Sequence, residues 1–125
     1  MNLLLDTRVV LWQLSGERTL SSAADDAIRA AQALFVSAVS FAEVGVKAAL
    51  GKLVVPDDLV DVLLASGVRF LPLSAEHGLG VARLPMHHRD PFDRLLIAQA
   101  KAEHLTLVTA DTRITTYEVD TILAG

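Results

Sequence analysis

The 125-residue chain contains no cysteine, which excludes disulfides and thiolate metal sites and suits a cytoplasm without requiring one. It has no long apolar run either. The longest uncharged stretch, Ala30 to Ala42, is broken by serines and falls short of the roughly 20 residues a helix needs to cross a bilayer, so no membrane span is expected. The opening Met-Asn-Leu-Leu-Leu-Asp lacks the basic start and small-residue cleavage site of a signal peptide. Nor is there an excess of positive charge: Lys+Arg 11 against Asp+Glu 15 gives a formal −4. That balance argues against a grip on nucleic acid by bulk electrostatics, and any such contact must be local. Repeats, low-complexity runs and Pro-, Gly- or Ser-rich linkers are absent, so a single domain over residues 1–125 is expected.

What the chain has is apolar side chains, 52% of residues with a mean hydropathy of +0.44. This is enough to build a core and leave apolar surface for a partner. Short apolar runs at Leu3–Leu5, Leu34–Ala38, Arg69–Leu73 and Leu105–Thr109, with a weaker fifth at Val119–Leu123, read as strands. Helical patterns separate them. The clearest spans Pro91–Glu103; Ser21-Ser22 caps another running through Ala23 to Ala33, Ser40 is placed to cap one carrying Glu43 toward Gly51, and Pro56 opens a further one. Val9-Val10-Leu11 and Trp12 read as a core-facing helix. Alternating strands and helices require crossover connections, so an α/β fold is expected: a central parallel sheet of four or five strands covered by helices on both faces.

In such sheets, ligands collect outside the carboxyl ends of the strands. Asp6 directly follows the first strand and Asp111 follows the fourth after one alanine, while Glu43 lies in the helix after the second. In Asp90-Pro91-Phe92-Asp93 the proline suits the first helical position and Asp90 the cap, which brings Asp93 to the same helix entry. Each acid has an ordinary role as a cap or turn residue; their convergence is the signal. Carboxylates gathered within a few ångströms need protons or a cation to neutralise them. An all-oxygen set suits Mg²⁺ or Mn²⁺, which polarises a phosphodiester and activates water. Arg8, Lys47, Arg89, Arg94 and Arg113 fall near this edge in sequence, with Arg94 the preferred phosphate contact. His87-His88 lacks metal-ligand spacing and reads as a solvated loop, and His77 and His104 carry no motif.

Four ordered motifs carry a resemblance that covers the whole chain: Leu3-Leu4-Leu5-Asp6-Thr7 with Leu11-Trp12; Ser40-Phe41-Ala42-Glu43-Val44 with Lys47 and Gly51-Lys52-Leu53; Arg89-Asp90-Pro91-Phe92-Asp93-Arg94 through Ala98-Gln99-Ala100; and Leu107-Val108-Thr109-Ala110-Asp111. The chain resembles the PIN-domain family and, within it, VapC-type ribonuclease toxins of toxin-antitoxin pairs. The resemblance implies a three-layer α/β/α sandwich, an acidic quartet of Asp6, Glu43, Asp93 and Asp111, and Mg²⁺ or Mn²⁺ as cofactor. It further implies an RNA substrate, a homodimer and a cognate antitoxin. Thr7 and Thr109 are expected to orient the carboxylates. Arg8 stands where many relatives have His after Asp-Thr. Two other functions remain open at this point. One is a binding module that acts through an antitoxin and promoter DNA with little cleavage. The other is a phosphoryl-transfer domain with Asp6 as covalent acceptor, against which Asp6-Thr7-Arg8 lacks a second aspartate two positions on.

Overall fold

Leu3, Leu4 and Leu5 are at most 1% exposed, as expected of a strand covered on both faces, and they form most of β1 (Asn2–Leu5). The computed structural model describes all residues 1–125. The other strands are β2 (Ala33–Ser37), β3 (Arg69–Leu71), β4 (Thr106–Thr109) and β5 (Thr121–Leu123). All pair in parallel, in the order β3-β2-β1-β4-β5. Six α-helices accompany them: α1 (Thr7–Ser15), α2 (Ser22–Ala30), α3 (Ala38–Ala49), α4 (Leu59–Ala65), α5 (Ala75–Gly80) and α6 (Pro91–Glu103), with 3₁₀ turns at Val81–Arg83 and Thr112–Thr116. None is long and apolar enough to cross a membrane.

Side chains alternate across a strand, so β1 feeds two cores. Leu3 and Leu5 pack with Val9, Val10, Leu59 and Leu63 on one face. Leu4 packs with Leu96, Ile97, Leu107 and Ile114 on the other, under α6. In register, Leu5 lies beside Val36 of β2 and Val108 of β4. β1 is therefore the strand from which the chain moves first toward β2 and β3, then back to β4 and β5. This arrangement makes its carboxyl end a topological switch point.

The structure differs from expectation in three places. Ser37, not Ser40, caps α3: its hydroxyl accepts from the Val39 N–H at 2.9 Å, so strand passes into helix with no loop. Glu43 consequently sits in the second turn and Ser40 is buried inside the helix. Pro56 opens a turn, its carbonyl accepting from the Leu59 N–H at 3.2 Å, and α4 begins only at Leu59. Trp12 is half-buried with the Arg18 guanidinium 4.5 Å above its ring, so it sits at the rim of the core. α6 begins and ends where the sequence places it, with Asp90 accepting from the N–H groups of Phe92 and Asp93.

Candidate metal centre

Strand ends, the starts of α1 and α6 and the body of α3 bring Asp6, Thr7, Arg8, Glu43, Lys47, Asp90, Asp93 and Asp111 around one cavity of about 30 Å³, with no apolar residue in its lining. A larger groove of about 470 Å³ lies between the end of α6 and residues 117–120. It adjoins Leu105 and Asp120, which precede β4 and β5, and so opens at the amino-terminal edge of the sheet, where no carboxylates from different strands converge. The carboxylates gather on the small cavity instead.

Asp6 is the N-cap of α1 and 4% exposed. One oxygen accepts from the Val9 N–H at 2.9 Å, and the other accepts the hydroxyl of Thr109, the last residue of β4. Burial raises its carboxyl above the ordinary 3.8, opposed by the Thr109 and Val9 bonds. Thr109 thus holds Asp6. Thr7 does not hold a carboxylate: its hydroxyl donates to Ser40 Oγ at 2.9 Å, tying the start of α1 to α3.

Glu43 is 5% exposed. Its Oε2 accepts from Lys47 Nζ at 2.7 Å, one helical turn on, while Oε1 is buried with no hydrogen-bond partner. Asp93, at the start of α6, has its carboxyl raised to about 6 by burial, then by Asp90, Glu43 and Asp6, with His88 working in the opposite direction. Asp111 lies on the rim. Arg113 donates from Nε to Oδ1 at 3.1 Å and from Nη2 to Oδ2 at 2.9 Å, and these bonds hold the Asp111 carboxyl down to about 2, against a smaller push from burial.

An orphaned buried carboxylate oxygen, an all-oxygen donor set and a neighbouring carboxyl raised by burial and then by like charges fit a hard divalent cation. Asp6, Glu43 and Asp93 are placed to hold it, with Asp111 adjoining. Asp90 lines the same cavity, its Oδ1 capping α6 through the Phe92 and Asp93 N–H groups.

Two further residues stand elsewhere than expected. Arg94 is only 7% exposed and points away from the cavity. Its guanidinium donates to the carbonyls of Pro85 at 2.8 Å, Val81 at 3.0 Å and Leu84 at 3.3 Å, so both terminal nitrogens are engaged in securing the segment before α6, away from the cavity lining. His88 is not a solvated residue: it is 5% exposed, with Nε2 2.8 Å from Asp93 Oδ2 and 3.0 Å from Asp111 Oδ2. The only sequence signal for it was its place two residues before the α6 cap. His77 is also buried, with Nδ1 accepting from the Ser74 N–H in the cap of α5.

A model of the PIN domain matches residues 3–120. The chain is a PIN domain. Metal-dependent ribonuclease activity is general in that family. No curated protein matches the chain by sequence. Among solved structures of the same fold, VapBC2 from Rickettsia felis, bound to a DNA fragment from its promoter, is 16% identical with a TM-score of 0.74, covering 100% of both chains. DNA-bound VapBC from Salmonella typhimurium is 12% identical with a TM-score of 0.70, covering 98% of this PIN domain and 97% of that chain. A toxin-antitoxin complex from Klebsiella pneumoniae is 19% identical with a TM-score of 0.65, covering 95% and 94%.

Proposed function

We propose that this PIN domain is an endoribonuclease dependent on Mg²⁺ or Mn²⁺ and the toxin of a toxin-antitoxin pair. The observation that carries the reading is Glu43 Oε1, buried and unpartnered in a cavity shared with Asp6 and Asp93. A bound divalent ion supplies Lewis acidity, polarising the phosphodiester and lowering the pKa of a water. The chain's own residues do the rest. Asp6, held by Thr109 and the Val9 amide, is fixed before any ion arrives. Lys47 balances the second Glu43 oxygen, which leaves the first for the ion. Arg8 and Lys47 are the cations of the cavity lining and are placed to meet RNA phosphate oxygens, the part assigned to Arg94 on sequence grounds.

Both Asp6 oxygens accept hydrogen bonds within the protein, which supports a ligand role over a covalent phosphoryl acceptor. The toxin reading is supported by solved relatives of this fold that include a toxin-antitoxin complex. Apolar side chains left exposed just after α3 and along α4, among them Leu50 at 64% and Leu64 at 53%, suit an antitoxin segment or a second copy in a homodimer. A cytoplasmic location belongs to the same proposal.

The test is cleavage of 5′-end-labelled RNA by wild type and Asp93→Asn in Mg²⁺, Mn²⁺ and EDTA. Site-specific cleavage that needs metal and falls at least about 100-fold in the variant is expected. If both proteins are equally inactive on total RNA while an antitoxin still binds, the binding-module reading replaces this one.

A further inference from the structure

His88, Asp93 and Asp111 offer three ligand atoms within 4.8 Å of one another, and at first sight they form a His-carboxylate metal group. The hydrogen bonding of the ring decides otherwise. His88 Nδ1 lies 3.2 Å from the Asp90 backbone N–H. An amide N–H only donates, so Nδ1 presents its lone pair and the ring proton of the neutral imidazole sits on Nε2. That N–H is directed at Asp111 Oδ2, 3.0 Å away, and the same nitrogen is 2.8 Å from Asp93 Oδ2. A nitrogen that carries a proton has no lone pair in the ring plane for a metal.

The placement of the ring is itself over-determined. The His88 N–H donates to the Tyr117 hydroxyl at 2.9 Å, and Arg94 Nη1 reaches the same hydroxyl at 3.3 Å. The loop is thus anchored to α6 and to the segment after β4, the two elements that carry Asp93 and Asp111. We infer that His88 is a positioning residue which, with its tautomer fixed by the Asp90 amide, holds Asp111 against Asp93 through Nε2–H and does not coordinate the cation. The inference rests on the metal reading above and deepens it: the ligands are oxygens alone, and the imidazole orients them from behind.

Two spectroscopic measurements and one rescue test it. In metal-free protein, ¹⁵N NMR of the His88 ring should show the Nε2–H tautomer; an Nδ1–H ring overturns the inference. In Mn²⁺-loaded protein, pulsed EPR should show no nitrogen coupling that disappears in His88→Gln. Mn²⁺ affinity should fall about 10–100-fold in His88→Leu and recover most of that loss in His88→Gln, whose amide restores a donor. Thermal unfolding in EDTA checks that each variant is folded, and the Gln variant serves if the Leu variant is not. Mn²⁺ bound with a His88 nitrogen coupling leaves the metal reading standing and overturns the positioning role alone. Failure of folded wild type to bind Mn²⁺ overturns the metal reading and this role with it.

Discussion

Asp93 meets burial and three neighbouring acids, Asp90, Glu43 and Asp6, and its carboxyl rises to about 6 from an ordinary 3.8. Between those two values the folded chain binds more protons than the unfolded one, so metal-free stability falls as pH rises through that window. Asp6, also raised by burial, acts in the same sense. Asp111, lowered to about 2 by Arg113, acts oppositely and only at lower pH: its contribution is present above the ordinary value and is lost as pH falls toward about 2. Calorimetry in EDTA should therefore give a higher thermal midpoint at pH 5 than at pH 7.5. Asp93→Asn should raise the pH 7.5 midpoint by about 3–6 °C and flatten the trend. A midpoint unmoved by the variant at both values would show that Asp93 is not strained by its neighbours. Asp6 and Asp93 were legible as residues because each follows a strand or cap signal. His88 was not, since the atoms that bury it come from Asp111 and Tyr117, distant in sequence.

α6 shows the same division at the scale of an element. Its span could be read from Asp90-Pro91 and the apolar spacing, because cap, first-turn proline and buried face agree. The start of α3 could not be read: Ser37 and Ser40 both offer caps, and only the fold shows that the last residue of β2 serves as one. α5 went unread, as six residues with two glycines carry little helical signal. Arg94, on α6, is expected to matter through packing. Removing its guanidinium leaves the carbonyls of Val81, Leu84 and Pro85 without that donor, so Arg94→Ala should cost about 2–4 kcal/mol in urea unfolding. Hydrogen exchange should rise in residues 81–88. Arg94→Lys should recover little, because one ammonium cannot span carbonyls that a planar fork reaches. A loss of RNA affinity in Arg94→Lys with stability intact would instead return Arg94 to phosphate binding.

Across the whole molecule, a chain of net charge −4 gathers carboxylates at the switch point of its sheet, where the metal-free state carries their repulsion. A cation that binds only the folded chain reverses that penalty: at 100 times its Kd it adds about 2.7 kcal/mol. Mn²⁺ should raise the thermal midpoint at pH 7.5 and do so less at pH 5, where protons compete for Asp93; Asp93→Asn should abolish most of the effect. A shift of equal size at both pH values would place the ion elsewhere. The parallel sheet and the edge at which the site lies followed from strand-helix alternation, whereas the hydrogen bonds that fix each carboxylate needed three dimensions. The most direct measurement is anomalous diffraction from a crystal soaked in Mn²⁺ near neutral pH. The account predicts a peak within bonding distance of Asp6, Glu43 and Asp93, with Glu43 Oε1 no longer orphaned. Mn²⁺ found only at other surface carboxylates, with this cavity unchanged, would contradict it.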